Sequence, residues 1–177
     1  TLTSSPASKP SAPQIAITTL IKLLLQGRIL PNYSILYVYE NQQAFPRFFL
    51  VGNAMVFDDT HHLLTALRQA PYADLRTTAY LQRNDTAHIP LEHIAPQEGK
   101  ISLSLYEADQ IVLNVDNSRP AILIVTNNYT PYWKATVDNI ETAIFPVDHT
   151  FQGIYLDSGI HTVRFLYAPP YAMRLGN

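Results

Sequence analysis

The chain has 177 residues, 47% of them hydrophobic and 15% charged. That balance excludes an intrinsically disordered protein and suits a domain with its own core. Twelve basic against fourteen acidic residues leave a net charge of -2, with no basic excess to follow a phosphate backbone, so nucleic acid is not expected as a partner. The absence of cysteine excludes disulfide scaffolds, thiol nucleophiles and cysteine-ligated zinc.

Residues 1–13 are rich in Ser, Thr, Pro and Ala and read as a flexible linker or tail. Gln14–Gln26 sets Ile17, Leu20, Ile21, Leu24 and Leu25 on one helical stripe, and Gly27 supplies a stop. The apolar run Ile15–Leu25 is about half of the ~20 residues that a bilayer span requires, and Lys22 interrupts it. It is therefore expected to be an amphipathic helix, neither a span nor a signal peptide. Tyr33–Glu40 reads as a strand, and Phe45–Val51 as a second extended, buried segment. Asp58 and Asp59 precede a helix over His61–Arg68, which Ala70-Pro71 ends. Thr77–Leu81 reads as a short strand, and Gln82–Gly99 as a polar, proline-broken connection.

From Gly99 the pattern becomes one of repeated short strands. Ile101, Leu103 and Leu105 alternate with serines and Tyr106, and Ile111, Leu113 and Val115 alternate with Val112 and Asn114. Ala121–Val125 is apolar throughout, as in a central strand covered on both faces. Tyr132–Val137, Ile140–Phe145, Phe151–Leu156 and Ile160–Tyr167 complete seven segments. The expected class is α+β. A mixed helix and strand part over 14–98 packs on an antiparallel β-sandwich of about seven strands over 99–171, followed by a tail over 172–177. A start at Thr1 and an end at Asn177 without a closing element suggest a piece of a longer protein.

Catalytic signatures are sparse. Six glycines form no phosphate-binding loop, and no Gly-x-Ser-x-Gly elbow occurs. None of the six histidines has zinc spacing, and His61-His62 point ~100° apart on the expected helix. No cofactor, metal or catalytic residue is expected. The carboxylates Glu107, Asp109, Asp116, Asp138 and Asp148 fall mainly at strand ends and turns, where solvated roles are commonest. One cluster stands apart. Asn127–Asn139 gathers Tyr129, Tyr132 and the chain's only tryptophan, Trp133, beside Lys134 and Asp138. Aromatic faces stack on the C–H faces of sugars while polar neighbours meet hydroxyls, so these five residues form a candidate glycan-binding set. The competing reading places Trp133 in the core, because it shares its alternation phase with Ala135 and Val137.

The same cluster resembles the C-terminal extracytoplasmic region of YfhO-type bacterial proteins, polytopic membrane proteins of glycosyltransferase C-like architecture. The matching residues are Ile122–Val125, Tyr129–Asn139, Phe151–Leu156 and the ending Gly159–Pro169. Upstream, Val38–Asn41 and Phe45–Val51 look like the family's motif ending in Pro-Arg-x-aromatic-Leu-Val, and the run from His62 to Tyr72 is similar to the helix after it. The resemblance spans about Ile17 to Tyr171. Tyr132 and Asn139 stand where the family usually has glycine. Asn accepts positive φ, so the second change preserves a turn, whereas the first implies a differently built corner.

The resemblance implies a soluble, non-catalytic domain on the extracytoplasmic face of the cytoplasmic membrane. Its partners would be the transmembrane region of its own parent protein and an envelope glycan. The family's catalytic carboxylates lie on a loop near the N-terminus that this chain lacks. Two other readings stand beside it: a purely structural or interaction module without a ligand, and a glycoside hydrolase-like enzyme built on a spatial pair of carboxylates.

Overall fold

Apolar residues at every second position can be buried only if strands stack into facing sheets, and that demand organises the chain. The computed structural model describes residues 41, 44–86, 89–96 and 99–170. The expected linker over 1–13, helix over Gln14–Gln26, strand over Tyr33–Glu40 and tail over 172–177 lie outside the described residues. The unit that begins at Phe45 contains, in order, β1 (Phe48–Val51), β2 (Asn53–Phe57), α1 (Thr60–Gln69), α2 (Tyr72–Leu75) and β3 (Thr78–Gln82). Next come β4 (Gly99–Tyr106), β5 (Gln110–Asn117), β6 (Ala121–Asn128) and β7 (Trp133–Val137). The last four are β8 (Ile140–Thr142), β9 (Phe145–Val147), β10 (Phe151–Leu156) and β11 (Gly159–Tyr167).

The chain is β-rich and mostly antiparallel. One sheet has the order β1-β6-β10-β9 and a second the order β4-β5-β11-β7-β8. Leu123, Val125, Ile154 and Leu156 of the first pack against Ile111, Leu113, Val115, Ala135, Val163 and Phe165 of the second in one buried cluster. Strand β6 is buried from Ala121 to Val125, as expected of a strand covered on both faces. Its other face, Ile122 and Ile124, joins Phe49, Val51, Ala79, Leu81, Phe145 and Val147 in a second cluster. That cluster is closed by β3, which pairs in parallel with β2 through the crossover α1–α2.

Three features depart from the sequence reading. The segment read as one strand over Ile140–Phe145 splits, with β8 pairing to β7 and β9 to β10, so eight strands rather than seven lie beyond Gly99. The chain changes sheets at Ala143-Ile144, and Pro146, which has no N–H to give, lies on the edge strand β9. Phe48–Val51, assigned to the N-terminal part, is itself an edge strand of the four-stranded sheet. Strand β2 had no counterpart in the sequence reading. The helix start is as read: the Asp59 carboxylate accepts from His62 N at 2.9 Å, while Asp58 pairs instead with Arg83. Among the described residues, no helix is long and apolar enough to cross a membrane.

Candidate functional site

The link between β6 and β7 carries the aromatic cluster, and backbone bonds hold it at three points. Tyr129 N donates to Thr150 O at 2.6 Å, Trp133 N to Thr130 O at 3.3 Å, and Ala168 N to Tyr132 O at 2.9 Å. The second of these closes a turn over Thr130–Trp133 with Pro131 at its second position, where proline's fixed φ fits. Tyr132 occupies the third position without positive φ, so the corner needs no glycine there. That is how the chain accommodates tyrosine at this place.

Tyr129, Thr130, Pro131, Trp133 and Lys134 line a groove of about 410 Å³ together with Glu141 and Thr142 of the neighbouring strand β8 and Ala143-Ile144 after it. Tyr129 is exposed, and Trp133 is half-buried. Trp133 packs on the core between the sheets and lies 5.2 Å from the Tyr167 ring, yet it also lines the groove. It is neither a wholly buried core residue nor an open platform. Thr130 Oγ1 is buried in this lining with no hydrogen-bond partner among the described residues. Because Trp133 is partly solvated, Trp133→Ala is expected to cost about 2 kcal/mol, less than the ~3–5 of a fully buried aromatic. Urea unfolding checks this value.

The other two residues of the expected set lie elsewhere. Tyr132 is exposed outside the groove, with its ring at 87° to that of Tyr167 and 6.3 Å away. Asp138 sits at the far end of β7 in the tight turn Asp138-Asn139, where both residues have positive φ, 52° and 69°. The turn at Asn139 is thus preserved without glycine. The Asp138 carboxylate meets His161 Nδ1 at 2.8 Å and accepts from Thr162 N at 2.8 Å. These bonds, the one to His161 foremost, hold its pKa below the usual carboxylate value. Its role here is to pin the hairpin to β11.

Sequence reasoning missed Glu141 and Thr142. The signal was the Asp138-Asn139 pair, since a two-residue loop sets Glu141 opposite Thr136 and Thr142 opposite Ala135. His161 is bound by Asp138 and by the Asp157 carbonyl. Among the described residues, no group of three His, Asp or Glu side chains is placed to hold a metal ion. The groove therefore offers two aromatic surfaces, one cationic and one anionic side chain, and hydroxyls. Comparison with protein-family models, with curated proteins and with solved structures finds no match.

Proposed function

We propose that this chain is a non-catalytic accessory domain that holds a sugar of an envelope glycan in the groove between Tyr129 and Trp133. The observation that carries this reading is that Tyr129, Trp133, Lys134, Glu141 and Thr142 all line one cleft of about 410 Å³. Aromatic rings accept the C–H face of a pyranose while charged groups and hydroxyls take its hydroxyls. The lining holds one carboxylate, Glu141, whereas glycoside hydrolysis uses two across the scissile bond, which favours binding over cleavage. On this reading the domain works on the extracytoplasmic face of the cytoplasmic membrane, beside the transmembrane region of its parent protein. The support for that location is the sequence resemblance to YfhO-type proteins over Tyr129–Asn139 and Gly159–Pro169.

The alternative, a structural module without a ligand, is favoured by the packing of Trp133 on the core and on Tyr167. The single tryptophan decides between them. Titrating the full chain with envelope polysaccharide fragments and simple hexoses is expected to shift Trp133 emission saturably with one glycan class. Lys134→Ala combined with Glu141→Ala should weaken that response about tenfold with little change in thermal stability. Emission indifferent to every sugar would leave the structural module as the better account.

A further inference from the structure

Side-chain bonds tie together the β5–β6, β7–β8 and β10–β11 turns. Asn117, which is 1% exposed, donates from Nδ2 to Arg119 O at 2.8 Å and to Asp157 O at 2.6 Å. His161 of β11 shares the parity of Val163 and Phe165, so its ring turns toward the space between the sheets, and its side chain is 14% exposed. Its Nδ1 stands 2.8 Å from Asp138 Oδ2, and its Nε2 stands 3.0 Å from Asp157 O. Gly159, at φ 145°, brings the backbone of the β10–β11 turn close to the ring. A β-carbon there would stand 3.4 Å from Nε2.

Both partners of the ring can only accept. A backbone carbonyl has no proton to give. Asp138 is a carboxylate, because the hydrogen bond from His161, and then the one from Thr162 N, hold its pKa below 3.8. A neutral imidazole has one N–H and one bare nitrogen, so it satisfies one of these acceptors and turns a lone pair toward the other. The doubly protonated ring donates to both. The groups around it leave that requirement in place. The Asp157 carboxylate accepts from the Tyr155 hydroxyl at 3.1 Å, and β5 sets Val115 across from His161. Asp116, on the alternate parity, is exposed on the outer face. Among the described residues, Asp138 is the one acidic side chain in an ion pair with His161.

We propose that His161 is a proton-operated clasp: its doubly protonated ring fastens the β10–β11 turn to the β7–β8 turn, and loss of one proton to solvent frees the β10–β11 turn. The side that opens follows from charge. A bare nitrogen at Asp138 would face a full negative charge, whereas at Asp157 O it faces a neutral carbonyl. The remaining proton therefore stays on Nδ1, and the contact with Asp157 opens. The β7–β8 turn stays in place, because Asp138 also accepts from Thr162 N at 2.8 Å and donates its own N–H to Thr162 O at 2.9 Å. Histidine side chains change charge between about pH 5 and 8. The clasp is thus closed toward the acid end of that range and open toward the alkaline end. This inference does not rest on the glycan reading.

The test is to titrate the isotopically labelled full chain from about pH 5 to about pH 9, following the two ring nitrogens of His161 by NMR and the protection of backbone amides against hydrogen exchange. The expected result is a ring with both nitrogens protonated at low pH that loses the Nε2 proton as pH rises. Protection over Asp157–Gly159 should fall about tenfold in step with that loss, and at Asn139 by less than about twofold. Asp138→Asn keeps an acceptor for Nδ1 and removes the charge that favours the second proton, so release should move about one pH unit lower. His161→Gln should show the low protection of the open turn at every pH. The titration of the native chain and of Asp138→Asn stands without that variant. A ring that carries a single proton throughout overturns the proposal. So does loss of the Nδ1 proton first, and so does a titrating ring that leaves Asp157–Gly159 protection unchanged.

Discussion

Replacing Asp148 with asparagine is expected to stabilise the protein at pH 8 by an amount on the order of 3 kcal/mol, and by almost nothing at pH 4. Asp148 stands in the turn between β9 and β10, where its carboxylate accepts from Tyr80 N at 2.9 Å and its own N–H donates to Tyr80 O at 2.9 Å. Burial pushes its pKa up from 3.8 to about 6, and the single bond from Tyr80 N opposes this only in part. The folded state therefore binds a proton more tightly than the unfolded chain does. Stability falls as pH rises from about 3.8 to about 6, and levels off above that. The gap between 3.8 and about 6 corresponds to about 3 kcal/mol at most.

Asparagine keeps the acceptor for Tyr80 N, removes the buried charge and tolerates the positive φ of 50° at this position. A gain from backbone preference would be the same at every pH, so the diagnostic quantity is the slope. Urea unfolding of both proteins between pH 4 and 8 should show a difference that grows through pH 6, with a Tm rise of roughly 6–12 °C at the upper end. A difference independent of pH would mean that the Asp148 carboxylate is solvated in the folded state. Asp59 and Asp138 act in the opposite sense. Hydrogen bonds from His62 and His161, respectively, hold their pKa values below 3.8, so what they add to stability is lost only as pH falls below that value. The two windows do not overlap.

The parts of the fold legible in the sequence are those set by neighbours a few residues apart. Asp59 could be read as a cap because the bond to His62 N spans three residues. Ala121–Val125 could be read as a central strand because unbroken apolarity implies cover on both sides. What escaped depended on partners distant in the chain. Asn53–Phe57 alternates only weakly and becomes β2 because β3, some 25 residues later, offers a parallel edge. Within Ile140–Val147 nothing local says that the first three residues pair with β7 and the last three with β10, because both halves satisfy the same alternation.

The candidate site divides along the same line. Tyr129, Trp133 and Lys134 are contiguous in the chain, and the structure brings them to one groove. The rest of the lining, Glu141–Ile144, arrives through a hairpin, and its place depends on the register that the two-residue turn Asp138-Asn139 sets. Asp138, included because it stood near the tryptophan in sequence, ends up a full strand length away. It lies five positions further along extended chain, and at ~3.4 Å per residue that carries it to the opposite end of the strand. Proximity in sequence means proximity in space for a turn and the reverse for a strand.

Strand β11 gives the sharpest test of the facing-sheet core, because its two faces predict opposite outcomes for equally apolar residues. Val163 and Phe165 are fully buried, whereas Ile160, on the other parity, is 80% exposed. Phe165 sits across from Ala135 on one side and Ile111 on the other, so the small alanine leaves room for the ring among Leu123, Val125 and Ile154 of the facing sheet. Phe165→Ala is expected to cost about 3–5 kcal/mol, because neighbours fixed in two sheets cannot close over the cavity. The expected drop in Tm is about 10 °C or more. Ile160→Ala, five residues earlier on the same strand, should change stability by no more than about 0.5 kcal/mol. Comparable losses at both positions would mean that the outer face of β11 is covered in solution. A negligible loss at Phe165 would remove the shared core, and with it the packing that sets Trp133 beside Tyr167.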